Sequence, residues 1–223
     1  MIDRAQAEKI LGRSPWFARR PQSLRRALIA RARIDAVEPG QWIYGTGDTL
    51  NGLYAVLEGS AHLTLAVGDA DTLIEIVQAG QMFGQAARFG GGPRLVTAIA
   101  GERSTLLHVP DHVLAEIARN EPDVWRSFTE LLYGQLAGAL QLAAAMICLP
   151  PPKRVAARLW MLAGDGKAPV SATQAQLAEM TGLSRKTVNG HLRTLQKEGI
   201  VRLDYRAITI LDRARLKACA DGR

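Results

Sequence analysis

Between Thr173 and Gly199 the sequence spells two short helices joined by a glycine, and few folds accommodate that spelling. Thr173-Gln174-Ala175-Gln176 has the pattern of a capping box, in which a threonine oxygen takes an orphan backbone N–H and the glutamine three residues on returns the bond. A helix is therefore expected to start at Thr173, with Leu177, Ala178 and Met180 on its buried side. Thr181-Gly182-Leu183 reads as a tight turn in which Gly182 takes a positive φ. Ser184 is placed to cap a second helix, Arg185 to about Lys197, that buries Val188, Leu192 and Leu195 and ends at Gly199. Two short strands follow, 200–203 and 207–211, on either side of Asp204-Tyr205-Arg206, so the helix-turn-helix is expected to be winged.

Charge is distributed to match. Residues 150–223 hold 14 Lys+Arg and 6 Asp+Glu, residues 34–149 hold 5 and 13, and residues 1–33 hold 9 and 2. A basic C-terminal block attached to an acidic middle is the asymmetry expected when one domain meets a polyanion and the other does not, which makes nucleic acid the first partner to test, a solvated surface being the alternative on charge alone; with the helix-turn-helix, double-stranded DNA is the expected partner. With 48% apolar and 22% charged residues the 223-residue chain is core-forming rather than disordered. Cys148 and Cys219 have neither metal-ligand nor disulfide-scaffold spacing, and the arginine-rich N-terminus lacks a signal-peptide pattern. A cytoplasmic protein is expected. No P-loop, nucleophile elbow, metal cluster or acid and base pair is visible, and an enzyme is not expected.

The rest of the chain divides by texture into an α+β whole: 1–121 a sensor domain, 122–149 a helix, 150–223 the DNA-binding domain. Residues 4–33 suit one or two short amphipathic helices, broken at Pro15 and Pro21. From Ile34 to Val109, short runs rich in Val, Ile, Leu and Tyr alternate with glycine, the pattern of an antiparallel β roll. Leu131–Leu149 then runs 19 residues without a charge and carries Gly134 and Gly138 at GxxxG spacing. Its length would suit a membrane span. Gln135 and Gln141 inside it, with Tyr133, Leu136, Leu140, Ala143 and Ile147 at steps of three and four, suit a dimerisation helix instead, and no membrane association is expected. Cys148, at its end, is read as packing. Leu149-Pro150-Pro151-Pro152 ends the helix.

Each candidate site residue follows from the groups available. Arg185 and Lys186 stand where a recognition helix enters the major groove, where an arginine donates twice to guanine N7 and O6. Asn189 suits adenine or a phosphate. Thr173, Ser184, Thr187 and the helix N-termini suit phosphate oxygens, which position the protein without reading sequence, and Gln174 and Arg193 are further candidate DNA contacts.

These residues resemble the Crp/Fnr family of bacterial transcription regulators. The resemblance lies in Leu183-Ser184-Arg185-Lys186-Thr187-Val188 through Leu192, Leu195 and Glu198-Gly199, and in Pro39-Gly40, Gly47-Asp48, Leu53 to Gly59, Gly80 and Phe83-Gly84. It implies a cyclic-nucleotide-binding-like jelly roll and a homodimer on a palindromic operator that works with RNA polymerase. A cyclic-nucleotide-responsive scaffold or membrane module without specific DNA binding is the alternative. Compared with the cyclic-AMP-responsive member, the first arginine of the recognition helix is kept as Arg185, but Lys186 replaces a glutamate and Gly190 an arginine. The operator is therefore expected to differ, with a guanine opposite Arg185.

The effector segment departs too. Family members that bind cyclic nucleotides place a glutamate after Phe-Gly and a hydroxyl after the phosphate-binding arginine, whereas this chain reads Phe83-Gly84-Gln85-Ala86 and Pro93-Arg94-Leu95. Gly84, Gln85, Arg88 and Arg94 remain the candidate effector residues, and the substitutions weigh against cyclic AMP. Another anion held by Arg88 and Arg94, or a roll without a ligand, are the readings left open. No cysteine precedes Cys148 and no histidine set is evident beside His108 and His112, so neither an iron-sulfur cluster nor haem is expected.

Overall fold

A computed structural model describes residues 2–49, 52–87, 91–164, 169–205 and 207–221. Its chain forms two compact units, one of residues up to 71 and 75–135, the other of residues 72–74 and from 136 onward.

The first unit opens with three helices rather than one or two: α1 (Arg4–Leu11), α2 (Pro15–Ala18) and α3 (Gln22–Arg31). Asp3 and Gln6 close a capping box on α1. Pro15 and Pro21 act as starts, one inside the first turn of α2 and one at the N-cap of α3. The reason is that an early helical residue has no intrahelical use for the N–H proline lacks, while its fixed φ already suits the helix.

Eight strands follow: β1 (Arg33–Val37), β2 (Trp42–Tyr44), β3 (Gly52–Glu58), β4 (Ser60–Val67), β5 (Ala70–Gln78), β6 (Met82–Phe83), β7 (Thr97–Ala100) and β8 (Ser104–Pro110). They form two four-stranded sheets, in the orders β1-β8-β3-β6 and β2-β7-β4-β5, with every assigned pairing antiparallel. The side-chain period of two divides β3 between two cores. Leu53, Ala55 and Leu57 join Phe17, Leu24, Leu28, Leu107, Val109 and Phe128 under the helices. Tyr54 and Val56 face the other way, toward Tyr44, Phe83, Ala98 and Leu106 between the sheets. Leu107 is 1% exposed, and its truncation to alanine would remove about 2–5 kcal/mol. After α4 (Asp111–Asn120), the long helix α5 runs from Val124 to Cys148. It starts before the uncharged run because Val124 and Phe128, both fully buried, anchor its first turns in the helical core.

The second unit continues with α6 (Pro151–Ala163), α7 (Gln174–Thr181), α8 (Arg185–Lys197), the hairpin β9 (Val201–Asp204) and β10 (Ala207–Ile210), and α9 (Arg213–Asp221). The proline run both ends α5 and begins α6, with Pro150 as N-cap. Val155, Leu159, Leu177, Val188, Leu192, Ile200, Val201, Ile208 and Leu216 are buried in this unit. An isolated bridge from Val170 to Ile208 extends the hairpin. Cys148 is exposed, contrary to the packing role expected of it. Like Ile147, 83% exposed beside it, it lies on a side of the last turn of α5 that its own chain does not cover.

Candidate nucleic-acid interface and effector segment

The turn between α7 and α8 is fixed at each step by a backbone demand. The Gln176 N–H donates to Thr173 Oγ1 at 3.2 Å while the Thr173 N–H donates to Gln176 Oε1 at 2.8 Å, so the capping box is closed. Gly182 has φ +63°, and the N–H groups of Gly182 and Leu183 reach back to the carbonyls of Glu179 and Ala178. That pair of bonds is the Schellman closure, which needs a left-handed residue at its centre. Ser184 Oγ then accepts from the Thr187 N–H at 3.1 Å and lies 2.8 Å from Thr187 Oγ1.

The consequence is a recognition helix with one apolar and one basic side. Val188 and Leu192 are fully buried and Leu195 nearly so, whereas Arg185, Lys186 and Arg193 are exposed. Thr187 and Asn189 are half-buried, as are Thr173 and Gln174 at the start of α7. Arg185, Lys186 and Arg193 take part in no ion pair among the described residues. Two cations in the first turn of α8, with no acidic residue there, oppose the positive end of the helix dipole. A polyanion at this helix end relieves that repulsion and bonds to both side chains.

Several other cations of the basic block serve the fold instead. Arg202 Nε donates to both Asp204 carboxylate oxygens at 3.2 Å, and Thr209 Oγ1 donates to the same carboxylate at 3.0 Å. Arg213 donates to the Gly164 carbonyl and lies 4.3 Å from the Trp160 ring, Arg215 donates to the Glu198 carbonyl, and Arg154 to those of Thr181 and Leu149. At the wing tip Tyr205 is 92% exposed, a feature sequence reasoning passed over although it is the one aromatic residue in that turn. Arg206 lies outside the described residues.

In the first unit, half-buried Gly84 lies between two buried side chains that face different neighbours, Gln85 toward the long helix and Arg94 toward Tyr44. Arg88 lies outside the described residues. Gly84 leaves β6 at φ +90°, and a Cβ there would stand 2.9 Å from Arg94 Nη1 and 3.0 Å from the Tyr54 ring, so both the dihedral and the space call for glycine. The Arg94 guanidinium is buried at 3% exposure, donates through Nη1 to the Gly84 carbonyl, and lies 4.1 Å from the Tyr44 ring centre. Tyr54 stacks on His108 at 4.1 Å with their planes 3° apart. Burial, then the cations Arg33 and Arg94, push His108 down to about 4, with Asp35 opposing and His112 adding to the shift. Burial pushes the Tyr44 hydroxyl up to about 12 against the pull of Arg94. Gln85, 1% exposed, donates to Gln135 of α5 at 2.8 Å, and Gln135 donates to the Met82 carbonyl at 3.0 Å. Leu95 is 68% exposed. No group of three or more potential metal ligands occurs among the described residues.

Comparison with known proteins agrees with both halves. The model of a Crp-like helix-turn-helix domain matches residues 153–219, and that of a cyclic nucleotide-binding domain matches residues 34–121. The chain is 25% identical over 218 residues to the CRP-like cAMP-activated global transcriptional regulator of Mycobacterium tuberculosis, covering 94% of this chain and 97% of that protein. It is 28% identical over 186 residues to the cyclic AMP receptor protein of Thermus thermophilus, covering 82% and 86%. The solved structure of FixK2 from Bradyrhizobium japonicum superposes with a TM-score of 0.74 at 20% identity, covering 84% of this chain and 96% of that one, and shares the fold.

Proposed function

The chain belongs to the Crp/Fnr family of DNA-binding transcriptional regulators, and from that premise we propose that it works as a cytoplasmic homodimer which reads a two-fold symmetric operator through α8 and acts with RNA polymerase. The observation that carries the reading is the exposed pair Arg185 and Lys186, without ion-pair partners, in the first turn of a capped second helix. Arg185 reads a guanine and Lys186 takes a base edge or phosphate beside it. Asn189 reaches a base or phosphate, while Thr173, Gln174, Ser184, Thr187 and Arg193 hold the phosphate backbone. Selection of bound duplexes from a random pool by the full-length protein, followed by footprinting, tests this. A palindrome with half-sites about one helical turn apart, or a multiple of it, is the expected result.

Dimerisation is assigned to α5 within 122–149. This helix is long and apolar enough to cross a membrane, yet Tyr133, Leu136, Leu140 and Ile147, exposed at 54–83%, repeat at steps of three, four and seven. That stripe fits a parallel partner helix. The Mycobacterium tuberculosis relative is a global transcriptional regulator, and a match to a Crp-like helix-turn-helix domain accompanies it here, which favours association in water over a membrane module and regulation over catalysis.

Control enters at the roll. A small anion can bind at Gly84, Gln85 and Arg94 by drawing the guanidinium off Tyr44 and replacing its bond to the Gly84 carbonyl. Cyclic AMP is a poor match, because Gln85 stands where a carboxylate would hold the ribose and Leu95 where a hydroxyl would meet the phosphate. Calorimetric titration with cyclic AMP decides the point, since micromolar binding would show that Arg94 suffices without those two groups.

A further inference from the structure

Within the first unit, α2 and the first half of α5 line a solvent-open cleft of about 380 Å³ that no step of DNA recognition or roll chemistry uses. Its wall is tied together by several polar and ring contacts. Trp16 stacks on Phe128 at 5.7 Å and donates its indole N–H to the Ser127 carbonyl at 2.7 Å. Arg20 donates through Nε to the Trp16 carbonyl, through Nη1 to Ser127 Oγ and through Nη2 to Glu130, at 2.8–3.1 Å. Arg20 and Glu130 thus cancel each other, and Arg126 approaches the same carboxylate at 3.8 Å.

Two features of the cleft leave it open to a ligand. Arg19, at the end of α2, is exposed and forms no ion pair among the described residues, so the cleft carries a spare cation on its rim. Gly134 sits inside a 25-residue helix, where glycine is a weak choice, and no atom lies within 4 Å of where its Cβ would stand. The room above Gly134 is the cleft itself.

Gln135 also lines the cleft, and its amide accepts from Gln85 and donates to the Met82 carbonyl. A molecule in the cleft therefore touches a side chain bonded directly to the segment that carries Gly84 and Gln85. The volume is at the small end of ligand sites and too small for a helix. Pro15, Trp16, Leu131 and Gly134 offer apolar surface to a flat body, while Arg19 offers a planar fork that matches a carboxylate.

We propose that the cleft between α2 and α5 binds a small aromatic carboxylate, its ring above Gly134 beside Trp16 and its carboxylate on Arg19, and that Gln135 passes occupancy to Gln85. The binding claim stands apart from the reading of the roll as an effector site, and only its regulatory consequence rests on that reading.

The test is titration of ¹⁵N-labelled full-length protein with phenylacetate, benzoate and indole-3-acetate, following the Trp16 indole N–H, assigned by Trp16→Phe. A saturable shift is expected, at least about tenfold weaker with neutral phenylacetamide or in Arg19→Ala, lost in Gly134→Leu and kept in Arg94→Lys. Arg19 is exposed, so its variant remains informative if Gly134→Leu fails to fold. Absence of a saturable shift up to about 10 mM of all three acids overturns the proposal. Retention of full affinity in Arg19→Ala does the same, as does loss in Arg94→Lys alone, which would place the ligand in the roll. An indole signal that follows protein concentration instead of added acid would assign the cleft to a second copy of the chain and also overturn it.

Discussion

The guanidinium of Arg94 lies against the ring face of Tyr44, 4.1 Å from its centre, in a site that leaves Arg94 3% exposed. A side chain that sequence comparison would assign to a ligand phosphate is here part of the packing between two sheets. Arg94→Ala removes a desolvated cation–π contact, a bond to the Gly84 carbonyl and buried volume together. We expect a loss of about 2–4 kcal/mol in urea unfolding, with Arg94→Lys retaining part of it. An unchanged urea midpoint in Arg94→Ala would show that the guanidinium is free for ligand at no structural cost.

His108 gives stability a pH dependence with a defined sign. The folded protein holds this imidazole at about 4, below the 6.5 of the unfolded chain, so between those values the unfolded state binds more protons. Stability is therefore full above about pH 6.5, falls as pH drops toward 4 and levels off below it. His108 is half-buried, and after allowing for solvent screening the fall is about 1–2 kcal/mol. His108→Phe, which keeps a ring against Tyr54, should flatten that portion of the profile.

At the DNA interface, base and phosphate contacts separate by their salt dependence. Arg185→Ala should cost about 1–3 kcal/mol on the selected operator and relax preference at one base pair while leaving affinity for unrelated DNA almost intact. Arg193→Ala should weaken all sequences alike and lower the slope of log K against log salt by about one. Fluorescence anisotropy from 50 to 300 mM salt distinguishes the two, and equal weakening on every sequence by Arg185→Ala would make Arg185 a phosphate contact.

The seam on α5 is tested by one charge. Leu140 is 63% exposed, so Leu140→Glu disturbs little within a single chain, yet it places two carboxylates together in a parallel dimer. Sedimentation should show monomers at micromolar concentration, where the parent protein is expected to be a dimer, and binding to the palindrome should fall at least about tenfold.

Gly182→Ala combines a left-handed φ with a Cβ 3.2 Å from Met146 Cε. A loss of about 1–2 kcal/mol is expected, with Gly182→Asn milder because asparagine tolerates that backbone better. Thermal unfolding measures both.

What the sequence disclosed and what it concealed divide by range. Thr173, Gly182 and Ser184 were legible because a cap and a turn are settled by residues three or four apart, and the bounds of α8 follow from them. The two-core split of β3 was hidden, since alternation does not say what each face will meet. Gln85 and Gln135 are 50 residues apart, and neither Arg94 nor Tyr44 carries any local mark of the other. The prolines at 15 and 21 were legible as discontinuities but not as helix starts. Charge counts did not disclose that Arg154, Arg202, Arg213 and Arg215 also bond to carbonyls and a carboxylate inside their own domain.

Only 6% of the most apolar stretch of α5 is buried by its own chain. With a second copy covering that face, as proposed, assembly becomes part of folding, so melting temperature should rise with protein concentration. A cell holding few copies would then have not merely less regulator but a smaller fraction of it in working form, and promoter occupancy would climb more steeply than expression does.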